Sequence, residues 1–196
     1  MIKTFKDMYE GMAEVSNFEV GFYYGIHSKP IVTYGIDEDV NLIYCREHYI
    51  DTISMERKGG CMIFSPHDIS FAVVRPTNEN FNSRLIDFII QKLKEKGIDA
   101  SNDSNDIIID GHYKVAGCTK MRDPITNRIC SFLHIAITDS SELVKHICLK
   151  PRKKLENGLY KDPAGLSQWG VNEFDVEKWW LEFLDINYKK ELIWAK

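Results

Sequence analysis

The sequence predicts an α+β fold with mixed, largely antiparallel sheets and helices packed against them. Three observations predict it. Short β-branched and aromatic runs, separated by turn residues, fill the middle of the chain. One long amphipathic helix interrupts them. The strand–helix–strand alternation that builds a doubly wound parallel sheet is missing. The 196 residues are read as one domain, 1–196, because no repeat, low-complexity tract or Pro/Ser-rich linker divides them.

The elements follow in order. Phe5, Met8, Met12 and Val15 stand at helical spacing, so Phe5 to Val15 is expected to be a helix. Phe18 to Tyr24 is aromatic and β-branched and reads as a strand; Ile31 to Tyr34, entered after Pro30, reads as a second. Val40 to His48 is expected to be helical with Asp39 as its cap, and Ile50 to Met55 to be a short strand. Cys61 to Phe64 and Ile69 to Val74 read as strands around a turn at Ser65-Pro66-His67-Asp68. Phe81 to Lys96 is the clearest helix: Leu85, Phe88, Ile89 and Leu93 share a face, and Gly97 ends it. Ile107 to Ile109, Asp110-Gly111, and Tyr113 to Gly117 form a hairpin around an Asp-Gly turn. Ile129 to Thr138 is expected to be a strand, Ser141 to Ile147 a helix, and Asp175 to Leu184 the start of a closing helix.

Composition narrows the function. Hydrophobic residues make up 44% and charged residues 28%, the balance of a globular chain that buries a full core. A net charge of -4 argues against coating a nucleic acid, which needs a basic stripe. The five cysteines contain no CxxC pair, so neither a zinc site nor a disulfide framework is indicated. The polar start, Met1 to Asp7, does not resemble a signal peptide, and no run of about 18 apolar residues could cross a bilayer. No membrane role is expected, and a cytoplasmic location is. His112, His134 and His146 lack metal-ligand spacing.

Three segments carry candidate chemistry. Arg57-Lys58-Gly59-Gly60 joins cations to glycines whose amides can approach a carboxylate or phosphate, although such a segment alone is more often a surface turn. Lys114 lies in the second arm of the hairpin, between apolar neighbours and near Gly117. An ammonium held there can bring a carboxylate and a phosphate together, whereas an isolated strand lysine more often faces solvent. Leu149 to Glu156 is a basic run of the kind that usually forms a solvated loop.

Their joint order resembles the lipoate–protein ligase, biotin–protein ligase and octanoyltransferase catalytic domains, the lipoate–protein ligases above all. The resemblance rests on Lys29-Pro30-Ile31-Val32-Thr33-Tyr34-Gly35, Glu56 to Cys61, Asn105-Asp106 through Asp110-Gly111 to Lys114-Val115-Ala116-Gly117, and Ser141 to Leu155. It covers about Lys29 to Leu155, and the Asn-Asp…Lys-x-x-Gly hairpin is its most specific part. It implies the class II biotin/lipoate ligase fold. It also implies ATP-dependent activation of a lipoic- or octanoic-type acid to an acyl-adenylate, followed by transfer to a carrier-domain lysine. Lys114 would bridge the acid and the α-phosphate. Arg57, Lys58, Gly59, Gly60, Cys61, His67 and Gly117 would line the acid and nucleotide pocket, and Asn105 and Asp106 would hold ATP, with Asp106 on Mg²⁺. A lipoyl domain or similar acyl carrier is the implied partner, with a separate accessory chain.

The sequence departs from that pattern in three places. Glu56 stands where the family has its first arginine and Cys61 where it has a third glycine, while Phe64-Ser65-Pro66-His67 puts His67 out of the family's register. Two alternatives therefore stand beside the ligase. One is an ATP-independent octanoyl or lipoyl transferase using a cysteine such as Cys148. The other is a non-catalytic binder of a small acid or nucleotide.

Overall fold

The structure, a computed structural model, describes residues 2–5, 17, 19–36, 39–55, 60–76, 80–148 and 161–193. A seven-strand path runs through the larger sheet in the order β1 (Ile2–Phe5), β2 (Gly21–Ile26), β6 (Ile69–Arg75), β10 (Ile129–Ile135), β9 (Tyr113–Arg122), β8 (Asp106–Ile109) and β7 (Ala100–Asp103). A two-residue strand, β11 (Asp162–Pro163), pairs with β9 off this path. The smaller sheet has the order β4 (Asp51–Met55), β3 (Ile31–Gly35), β5 (Met62–Phe64). Most pairings are antiparallel; β1–β2, β3–β4 and β9–β11 are parallel. The fold is α+β with mixed, largely antiparallel sheets.

Side-chain alternation along the central strands creates the layers. Phe71 and Val73 of β6 and Leu133 and Ile135 of β10 face α2 (Phe81–Glu95) and α4 (Glu173–Ile193). There they meet Leu85, Ile89, Trp180 and Phe183 in one core. The intervening residues Ala72, Val74, Cys130 and Phe132 face the other way, onto Ile31 and Phe64 of the smaller sheet. Beyond that sheet, Val32 and Ile63 pack against Cys45 of α1 (Leu42–Glu47) and Ile147 of α3 (Ser141–Ile147). The order is helices, large sheet, small sheet, helices.

Several elements differ from the sequence expectation. Ile2–Phe5 is a strand, while residues 6–16, where the Phe5-to-Val15 helix was expected, lie outside the described residues. The strand expected from Phe18 begins at Gly21 and runs to Ile26, because its register is fixed by pairing with β6. The cap of α1 is Asn41, whose Oδ1 accepts the Tyr44 amide at 3.0 Å, and not Asp39. Strand β7 is polar and largely exposed, so it has no hydrophobic alternation to announce it.

Candidate active site

The site is built on two consecutive hairpins. Between β7 and β8, Ser104 and Asn105 have φ of 56° and 70°; between β8 and β9, Asp110 and Gly111 have φ of 52° and 67°. Paired positive φ values make tight turns that match strand twist, with two residues between the paired Asp103 and Asp106 and three between the paired Ile109 and Tyr113, and Asn, Asp and Gly tolerate them best. Asn105 is thereby an exposed turn residue whose amide donates to Asn102 Oδ1 at 3.0 Å. Asp106 follows it at the start of β8.

A β-bulge then aims the lysine. Ile107 pairs with Ala116 but Ile108 pairs with Lys114, leaving Val115 as an extra residue. Val115 and Ala116 both enter the core under the helices, and Lys114 turns to the opposite face. Its Nζ lies 2.7 Å from Asp106 Oδ2, with the lysine side chain 35% and the aspartate 21% exposed. The pair sits over Gly117: a Cβ there would lie 3.3 Å from Lys114 Nζ and 3.4 Å from Asp106 Oδ1. Glycine at 117 leaves the place its side chain would occupy to the ammonium. The edge of β9 opposite β8 is held by β11, where Pro163 pairs with Lys114 and Ala164 donates its amide to the Lys114 carbonyl.

Beside this pair lies a buried polar chain that sequence reasoning missed. Asp68 is fully buried; its Oδ1 accepts the Ile137 and Thr138 amides at 2.8 and 2.9 Å, and its Oδ2 accepts the Ser65 amide at 2.8 Å. It thus ties the β5–β6 turn to the end of β10. His134 Nε2 is 3.5 Å from Asp68 Oδ2, His134 Nδ1 is 3.2 Å from Ser70 Oγ, and Ser70 Oγ is 2.8 Å from His27 Nε2. The only signal in the sequence was a serine and a histidine inside otherwise apolar strands.

Of the other expected site residues, Gly60, Cys61 and His67 are among the described residues. Arg57, Lys58 and Gly59 lie outside the described residues. Gly60 is exposed, and Cys61 packs toward the core beneath the smaller sheet. His67 occupies the β5–β6 turn with φ 73°, and its Nδ1 meets Glu173 Oε1 at 2.8 Å, at the start of α4. Among the described residues, no three His, Cys, Asp or Glu side chains gather as a metal cage.

Two of the cysteines, Cys118 and Cys45, are poorly suited to attack. Burial pushes the Cys118 thiol up, and the Asp106 carboxylate adds to this against the Asn82 hydrogen bond and the Lys120 and Lys114 charges. Burial also raises the Cys45 thiol, with Cys148 beside it adding to the shift. A nucleophilic cysteine needs the reverse. Cys148 closes α3 and bridges Val40.

No family model matches this sequence, and no curated protein matches it. Solved structures do. The bipartite lipoate–protein ligase of Thermoplasma acidophilum, studied with its E2 lipoyl domain, superposes over 94% of this chain and 81% of its own, with a TM-score of 0.71 at 18% identity. LipL1 of P. falciparum, in complex with lipoate, matches 97% of this chain with a TM-score of 0.73 at 11% identity, and the chain spans 62% of its length. The fold is that of the lipoate–protein ligases. It extends to the biotin–protein ligase of Aquifex aeolicus, solved with biotin and ATP, which covers 97% of this chain and 69% of its own with a TM-score of 0.53 at 12% identity. The class II ligase architecture that the resemblance implied is therefore the architecture observed.

Proposed function

We propose that this chain activates a lipoic- or octanoic-type acid with ATP and transfers the acyl group to a lysine of a carrier domain. The observation that carries the reading is the Lys114–Asp106 pair, held over Gly117 by a bulged hairpin on a lipoate–protein ligase fold. In the first step a carboxylate oxygen of the acid attacks the α-phosphorus, the bond to pyrophosphate breaks, and an acyl-adenylate forms. Two anionic groups must meet there, and the Lys114 ammonium offsets their repulsion and the charge that grows between them. In the second step the carrier amine attacks the mixed anhydride and AMP leaves. Neither step needs a covalent enzyme intermediate.

Magnesium bound to nucleotide phosphates asks the protein for only one or two carboxylates, and we assign Asp106 that part. Asn105, Arg57, Lys58, Gly59, Gly60, Cys61 and His67 are proposed to complete the acid and nucleotide pocket. The proposed carrier is a lipoyl domain, by analogy with the T. acidophilum system, and a separate accessory chain is proposed to assist transfer. Among the described residues no helix is long and apolar enough to cross a membrane. We place the reaction in the cytoplasm, where the cysteines remain thiols.

The test is intact-mass spectrometry of an apo lipoyl domain incubated with this chain, Mg-ATP and lipoate, octanoate or biotin in parallel. A mass gain with lipoate or octanoate, lost without ATP, is expected. A gain from an octanoyl-carrier donor without ATP identifies a transferase instead.

A further inference from the structure

One row of residues crosses the larger sheet on the face that carries the Lys114 ammonium. Phe5, Gly25, Ser70, His134 and Gly117 stand opposite one another on β1, β2, β6, β10 and β9. Residues paired across antiparallel strands have Cα atoms about 4.5–5.5 Å apart. His134 is therefore the side chain next to the place over Gly117 that Lys114 Nζ occupies.

The His134 ring is 5% exposed and is fixed from three sides. Phe64 packs on it edge-on with centroids 4.4 Å apart, Ser70 holds Nδ1, and His27 lies behind Ser70. Two hydrogen-bond orders fit the chain, and the one that turns an N–H rather than a lone pair toward the Asp68 carboxylate runs from His27 Nε2–H to Ser70 Oγ and from the Ser70 hydroxyl to His134 Nδ1. That order leaves the proton of the His134 imidazole on Nε2. Nε2 has no hydrogen-bond partner. Asp68 is 3.5 Å away, and its oxygens already accept three backbone amides. An N–H that is buried, makes no hydrogen bond to the carboxylate 3.5 Å away and stands on the face of the Lys114 ammonium can donate to a ligand atom bound there.

We propose that His134 is a catalytic residue of the same site: its Nε2–H donates to the acyl oxygen of the acid that Lys114 holds. This rests on the ligase reading. When the carrier amine attacks, the new N–C bond pushes charge onto that oxygen, where the His134 donor meets it. The C–O bond to phosphate then breaks, AMP leaves with the electron pair, and the amine proton passes to solvent. His134 keeps its own proton throughout.

The experiment records imidazole nitrogen spectra of ¹⁵N-histidine-labelled protein on titration with octanoate, alongside single-turnover transfer by His134→Phe and His134→Gln. The His134 Nε2 resonance is expected to shift saturably. His134→Phe is expected to slow transfer about 10²- to 10³-fold, as loss of one oxyanion donor does. The KM for the acid should change far less, and His134→Gln, which keeps a donor, should recover part of the rate. An unmoved resonance in protein that turns octanoate over, or equal rates for wild type and His134→Phe, overturns the contact and leaves the ligase reading standing. A saturable shift in protein that never forms adenylate keeps the contact and removes the ligase reading. Absence of both binding and turnover overturns both. Should His134→Phe fail to fold, the wild-type spectra decide alone.

Discussion

Gly117 is a position at which one added atom reaches the Lys114–Asp106 pair directly. A methyl there must share space with Lys114 Nζ at 3.3 Å, and a branched side chain leaves the ammonium nowhere to lie over the strand. Gly117→Val is therefore expected to lower adenylate formation about 10²-fold, the usual effect of misplacing a reacting group by about 1 Å. Its melting temperature should stay near that of the wild type, because the atoms a new side chain meets first are the far ends of the Lys114 and Asp106 side chains and not backbone. Lys114→Arg keeps the charge but replaces a compact ammonium by a planar fork, so it should not restore the rate. Steady-state kinetics beside thermal melts check both. At this scale the sequence was partly legible. Lys114, Asp106 and Gly117 share a short motif, so spacing exposed them. Asp68, Ser70 and His134 come together only through strand pairing, with Ser70 and His134 separated by 64 positions of chain, and no local pattern reports that.

At the scale of elements, the strands are held to the rest of the fold by a few buried polar ties. Asp68 joins the β5–β6 turn to the end of β10 through three amides. Asp68→Ala leaves those donors buried and unpaired, and is expected to reduce unfolding free energy by roughly 3 kcal/mol in urea titrations. Strand β2 is tied to α4 by the Tyr24 hydroxyl, which donates to Glu177 Oε1 at 2.7 Å. Burial, followed by that carboxylate, pushes the Tyr24 phenol up from 10.0 to about 12. Below pH 10 both folded and unfolded chains hold the proton. Between about 10 and 12 only the folded chain does, so this contribution is lost as pH rises through that window. Tyr24→Phe should remove this part of the alkaline slope, read by unfolding at a series of pH values. Helix α2 and the β8–β9 hairpin were legible because apolar spacing and an Asp-Gly turn are local signals. Strands β1, β7 and β11 were not: β7 is a polar edge, and β11 is two residues positioned by contact with β9.

For the whole molecule, the central sheet is buried on both faces, one side by α2 and α4 and the other by the smaller sheet. Trp180 is the hub of the first interface, stacked on Phe71 with centroids 4.6 Å apart and meeting Phe22 and Phe81 edge-on. Trp180→Ala should destabilise by about 3–5 kcal/mol and lower the melting temperature by about 10 °C, measured by calorimetry. The α+β class was readable because strand and helix signals follow one another without βαβ periodicity. The division into two sheets was not, since β3, β4 and β5 carry the same apolar alternation as the strands of the larger sheet. The Lys114 ammonium is proposed to drive acyl-adenylate formation on this scaffold. The most direct measurement is octanoate-dependent exchange of labelled pyrophosphate into ATP, with wild-type and Lys114→Ala protein of equal thermal stability and no carrier present. The account predicts exchange by the wild type and none above background by the variant. Equal exchange by the two, or none by the wild type with lipoate, octanoate or biotin, would contradict it.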